Sequence, residues 1–190
     1  MTSQKNVKFE IAIVLLLSLG ASAIYSILSL IEKVTSKSGL SGSSASLNPS
    51  ENNVELWDFL YRFVGLSLGF VPVALVIYLL SQKYENPFKL LGLWKPERKD
   101  LARGFALFAC IGIPGLALYL SARALGLAAR IVPGEFDYWW LIPVLLLSAL
   151  KAAATEEIIM IGYLYKKFDE LGISFRWQQI ISSGIRACYH

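Results

Sequence analysis

The chain has 190 residues and a net charge of +4, with 55% of residues hydrophobic and only 17% charged. Soluble domains carry about a quarter charged residues; here the charges also cluster and leave long apolar runs, which argues for a polytopic membrane protein and against a soluble globular domain. The excess of base does not point to nucleic acid, because six of the 18 Lys and Arg (Lys83, Lys89, Lys95, Arg98, Lys99 and Arg103) share one loop between apolar runs, as a cytoplasmic loop would.

A bilayer core about 30 Å thick needs roughly 20 apolar residues of helix, and four stretches reach that length. The first, Ile11 to Ile31, follows Lys5 and Lys8 and contains "ASA", a small-residue pattern also found at signal-peptide cleavage sites. Its apolar run continues well past Ala23, so a retained anchor is predicted. "TSKSGLSGSSASLNPSENN", rich in Ser, Gly and Asn, cannot bury a core and reads as an extramembrane loop. Residues 1–56 thus form an anchor and loop, and residues 57–190 carry the remaining spans.

The second span is predicted from Phe59 to Ser81, with Trp57 and Tyr61 as interfacial anchors and Arg62 reaching for headgroups. Within the basic loop that follows, "NPFKLLGLW" mixes apolar residues with lysine and reads as an interfacial piece. The third span runs from Gly104 to Ala122, with Pro114 tolerated as a kink. An aromatic belt, Tyr138 to Trp140, opens the fourth span, which ends at Lys166 and Lys167. The fifth apolar segment, "WQQIISSGIRACYH", stops at His190 after about 20 Å of helix rise, as a helix cut off before it crosses. Cys110 and Cys188 both lie in apolar stretches and read as small buried hydrophobes rather than a disulfide. The expected fold is an all-α transmembrane bundle of four spans plus the start of a fifth. It lies in the cell membrane with the lipid bilayer as partner and the N-terminus in the cytoplasm.

"KAAATEEIIMIGYLYKKF" places Glu156 and Glu157 inside the fourth span, about 14 Å from its cytoplasmic end. Intramembrane acids cost several kcal/mol and tend to be functional. The connection to the fifth segment is short, so the two helices are neighbours and His190 falls at a depth comparable with Glu156. A carboxylate and an imidazole at one depth can activate water, or contribute to a metal site that needs at least three protein ligands. Ala152 to Ala154 and Gly162 are small, which lets neighbouring helices approach. Lys151 lies about 140° around an α-helix from Glu156 and is read as outside the site.

"AAATEEIIMIGYLYKKF" followed by "SSGIRACYH" resembles the first two motifs of the CPBP intramembrane proteases, also called the CAAX-protease or Abi family. "RKDLARGFALFACIGIPGLALYL" is similar to the preceding helix in the actinobacterial branch, so the resemblance covers about Asp100 to His190. It implies peptide-bond hydrolysis within the membrane, acting on a peptide or protein substrate. Glu156 corresponds to the glutamate that activates water, Glu157 to its partner and His190 to the second-motif histidine. Both a metal mechanism, with a divalent ion such as zinc on Glu156 and His190, and a metal-free glutamate mechanism stay open.

Three departures go with the resemblance. Ile161 occupies the first motif's arginine position, and Arg186 the second motif's phenylalanine position. Arg186 lies at i−4 from His190 on the same helix face, where it could supply the charge that the fourth helix lacks. The family's further His or Asn on a later helix is not reached, so a 190-residue product is expected to be inactive. Two other classes remain: a non-catalytic immunity or scaffold protein of the same fold, and a small cation or proton transporter subunit. A transporter should show an internal repeat of broken helices, and none is seen.

Overall fold

The computed structural model describes residues 4–35, 44–46, 48–95, 97–128, 130–132 and 138–189. In chain order the elements are α1 (Gln4–Leu15), a π-helical stretch (Leu16–Gly20), α2 (Ala21–Thr35), β1 (Ser44–Ser46), α3 (Glu55–Gly69), α4 (Val71–Ser81), α5 (Pro87–Leu90), α6 (Arg98–Ala124), β2 (Arg130–Val132), α7 (Leu141–Ala154), a second π-helical stretch (Thr155–Tyr163), α8 (Leu164–Glu170) and α9 (Phe175–Tyr189). The architecture is thus mostly helical. Among the described residues its only departure is the three-residue parallel pairing of β1 with β2.

Three of these helical runs, Gln4–Thr35, Glu55–Ser81 and Arg98–Ala124, are long and apolar enough to cross a membrane. The expected fourth span takes the form of one continuous rod, Leu141–Glu170. The rod has the length, but Lys151, Glu156 and Glu157 interrupt its apolar character. The cysteines differ from expectation: Cys110 and Cys188 are free thiols on exposed positions.

One compact unit comprises residues 1–28, 50–91 and 136–190. Its centre is the second π stretch, where Ile158, Ile159 and Tyr163 pack against Val73, Val76 and Leu80 of α4 and Val14 of α1. Met160, Leu164 and Phe168 turn to Val7 and Ile11 of α1 and to Leu19. Pro72 lacks an N–H for the carbonyl of Leu68, which separates α3 from α4. Asn86 caps α5, accepting the Lys89 N–H at 2.9 Å, with Pro87 at the first helical position. Leu91 then inserts against Gly162, where any added Cβ would collide with it. The small residue predicted to admit a neighbouring helix therefore admits a leucine of the interfacial piece.

Polar contacts fasten both ends of this unit. At one end, Glu10 accepts from the Tyr163 hydroxyl at 3.0 Å and lies 2.9 Å from the Lys167 ammonium. Lys83 reaches Glu170 at 2.9 Å, and this carboxylate raises the Lys83 ammonium above its ordinary value. The contribution of that pair is complete below the unfolded lysine value and disappears as pH rises through the raised one. At the other end, the Trp140 indole donates to Glu55 at 3.0 Å and packs edge-on to Phe59. Asp58, buried beside it in sequence, accepts from Ser50 and from Arg62, whose Nε lies 2.9 Å away. Arg62 is therefore held within the protein instead of reaching for headgroups.

The second unit comprises residues 29–49 and 92–135. Glu97 and Asp100 form a reciprocal capping box that starts α6. Tyr119 accepts the N–H of Ile131 at 3.2 Å and ties β2 to the helix. No residue of α6 is buried, and Phe105, Phe108, Ile111 and Leu118 are each at least 70% exposed. A helix that is apolar all round needs a protein core or lipid to cover it.

Candidate active site

Two hydroxyls shape the region around Glu156. Ser18 donates to the carbonyl of Val14 at 2.7 Å, and Thr155 to the carbonyl of Lys151 at 2.9 Å. A hydroxyl bonded to the i−4 carbonyl competes for the acceptor of the α ladder and often bends the helix. At both places the ladder widens into i→i+5 bonding, over Leu16–Gly20 and Thr155–Tyr163. Such π turns are rare and concentrate at functional sites. Here both border one cavity of about 260 Å³, which Leu68, Gly69 and Pro72 close from the α3–α4 junction.

Glu156 lines this cavity with its side chain 30% exposed. Helix α9 runs back along the rod. Near its start Gln178 donates to Asp169 at 2.7 Å, and near its end Arg186 Nη2 lies 3.6 Å from Glu156 Oε2. The Nε and Nη2 groups of Arg186 are shut off from solvent with no hydrogen-bond acceptor among the described residues. Tyr189 shares the cavity wall, and its backbone carbonyl accepts from Ser26 at 3.1 Å. The structure thus brings together Glu156, Arg186 and Tyr189 from two helices.

Glu157 is placed differently. Its side chain is exposed and makes no hydrogen bond or ion pair among the described residues. Successive helical residues point about 100° apart, so neighbours in sequence face different surroundings. His190 lies outside the described residues. Ile161, at the arginine position of the first motif, is 39% exposed.

Lys151 is the residue that spacing alone misses. It lies on the same cavity wall as Glu156. Its stem fills the space left by Gly69, where an added Cβ would sit 2.6 Å from Lys151 Cδ. The reach of four methylenes, together with a facing glycine, overrides the angular separation of the two Cα atoms. A glycine in α3 opposite a mid-span lysine is the signal that could have found it.

His190, the expected metal's second ligand beside Glu156, lies outside the described residues. Among them no three His, Cys, Asp or Glu side chains come together. Glu156 has the Arg186 guanidinium beside it, which would compete with a metal cation for the carboxylate. Comparison of the chain with protein-family models, with curated proteins and with solved structures gives no match.

Proposed function

We propose that the chain carries the Glu156 site of a multi-pass, CPBP-type intramembrane endopeptidase, at which peptide bonds are hydrolysed. The observation that carries this reading is a carboxylate in a cavity between helices, about 15 Å along the rod from Lys167, with Arg186 from a separate helix beside it. In this reading Glu156 takes a proton from water as the water oxygen bonds to the peptide carbonyl carbon. The C–N bond then breaks and the proton passes to the leaving amine. Arg186, whose buried N–H groups have no acceptor among the described residues, would donate to a carbonyl oxygen as it gains charge. No step is routed through a metal. The test is hydrolysis itself. Full-length protein in nanodiscs, given a peptide library in heavy-oxygen water, should release fragments whose new carboxylates carry the label. Unlabelled peptides throughout would defeat the reading.

The same proposal places the rod and α9 in the membrane as the fourth span and the beginning of a fifth. Glu10 in α1, Lys83 at the start of the basic loop, and Lys167 and Glu170 on α8 meet at one end of their unit, which supports a shared cytoplasmic face. In a background with Cys110→Ser and Cys188→Ser, Lys95→Cys should react with an impermeant maleimide only after the cells are opened. Ser43→Cys should react in intact cells. The reverse pattern would invert the orientation.

A further inference from the structure

Lys151 is a cation for which the site described above has no use. Its ammonium makes no hydrogen bond or ion pair among the described residues, although its stem is held in the cavity wall beside Gly69. The carboxylate on that wall, Glu156, already has Arg186 at 3.6 Å. Among the described residues Glu156 and Arg186 offset each other, and Lys151 adds a positive charge on the cavity wall. An unpaired charge within an apolar bundle is costly and needs a counter-charge or a water-filled path.

We infer that the cavity binds a carboxylate-bearing ligand, with Lys151 as the group that holds the carboxylate. An apolar cavity of 150 Å³ admits benzene, so 260 Å³ accommodates about ten non-hydrogen atoms. That is the size of one acylated amino acid. Ser18, Ser22 and Thr155 add hydroxyls to the wall, whereas Leu17, Leu68 and Pro72 supply an apolar side for the rest of the ligand. On the peptidase reading, which alone fixes the origin of the ligand, this carboxylate is the one formed when the peptide bond is cut. The cavity is then the subsite that holds the N-terminal fragment of the cleaved peptide.

The experiment reads binding, not turnover. Full-length protein in nanodiscs of neutral lipid is titrated with N-acetylalanine and, separately, with its uncharged amide, following the thermal unfolding midpoint. The acid should raise the midpoint in a saturable way and the amide should not. Lys151→Met should weaken the acid about tenfold or more, the size expected on losing a charge-assisted hydrogen bond. Lys151→Arg should keep most of the affinity. Gly69→Val, which displaces the Lys151 stem without changing its charge, should weaken the acid too and serves if Lys151→Met fails to fold. Glu156→Gln should bind the acid at least as tightly as the wild type, even though hydrolysis is lost. Equal shifts with acid and amide would overturn the assignment. So would an equal shift with chloride at the same ionic strength, or undiminished acid binding by Lys151→Met. Acid binding without hydrolysis would leave the carboxylate site standing while the peptidase reading fell.

Discussion

Glu156→Gln is expected to lower peptide turnover by about 10² to 10⁴-fold, the usual contribution of a general base. The substitution keeps the shape of the side chain and the cavity, and removes only the ability to take a proton from water. It also leaves the Arg186 guanidinium without its nearby carboxylate. Both side chains are about one-third exposed, so solvent screening keeps the stability cost to about 1 kcal/mol. Rate and stability therefore separate. Glutamine should abolish most turnover while the protein still unfolds cooperatively near the wild-type midpoint. Arg186→Gln should also depress turnover, through the carbonyl oxygen, and with a smaller effect. Wild-type cleavage rates in the Glu156→Gln protein would remove Glu156 from the chemistry.

Lys167→Met should cost about 2 to 3 kcal/mol of stability, away from the cavity. Lys167 is 8% exposed and its ammonium lies 2.9 Å from Glu10, which also accepts from the buried Tyr163 hydroxyl. Methionine keeps the apolar stem and deletes the charge, so Glu10 keeps one donor and loses its counter-charge. Glu10 is 29% exposed, which holds the cost below the 3 to 5 kcal/mol typical of breaking a fully buried pair. Glu10→Leu combined with Lys167→Met should recover much of the loss, because apolar replacement of a whole buried pair is often close to neutral. Denaturant unfolding in mixed micelles measures the cycle. A Lys167→Met protein within 0.5 kcal/mol of wild type, a margin of the order of ordinary surface substitutions, would show that the pair is idle.

How far the site could be read from sequence depended on what spacing encodes. Arg186 stands beside Glu156, and both the short turn after α8 and the i−4 relation on α9 are visible in the residues themselves. The wide helical turns were not visible. They differ from α-helix by one hydrogen-bond register, and their marks, Ser18 and Thr155, look like ordinary hydroxyls in an apolar run. Angular arithmetic with 100° per residue set Lys151 aside because it follows Cα positions and ignores the length of a lysine stem. The same arithmetic, applied to Glu157, predicts its turn away from Glu156. The three apolar runs of Gln4–Thr35, Glu55–Ser81 and Arg98–Ala124 were legible because composition alone defines them. The rod was legible as a helix, while its charges set it apart from those three.

The attachment of Tyr163 to Glu10 reaches beyond stability. Tyr163 is the last residue of the wide stretch that begins at Thr155, and α1 grips it through Glu10 while Lys167 grips Glu10 in turn. A helix that rewinds from i→i+5 to i→i+4 bonding must rotate one flank against the other, by an angle on the order of the 100° that separates successive residues. The grip at Tyr163 fixes the lower flank, so the bearing of Glu156 is set by a peg about two turns away. Loosening that peg would let the carboxylate swing off its heading while every residue around it remained in place.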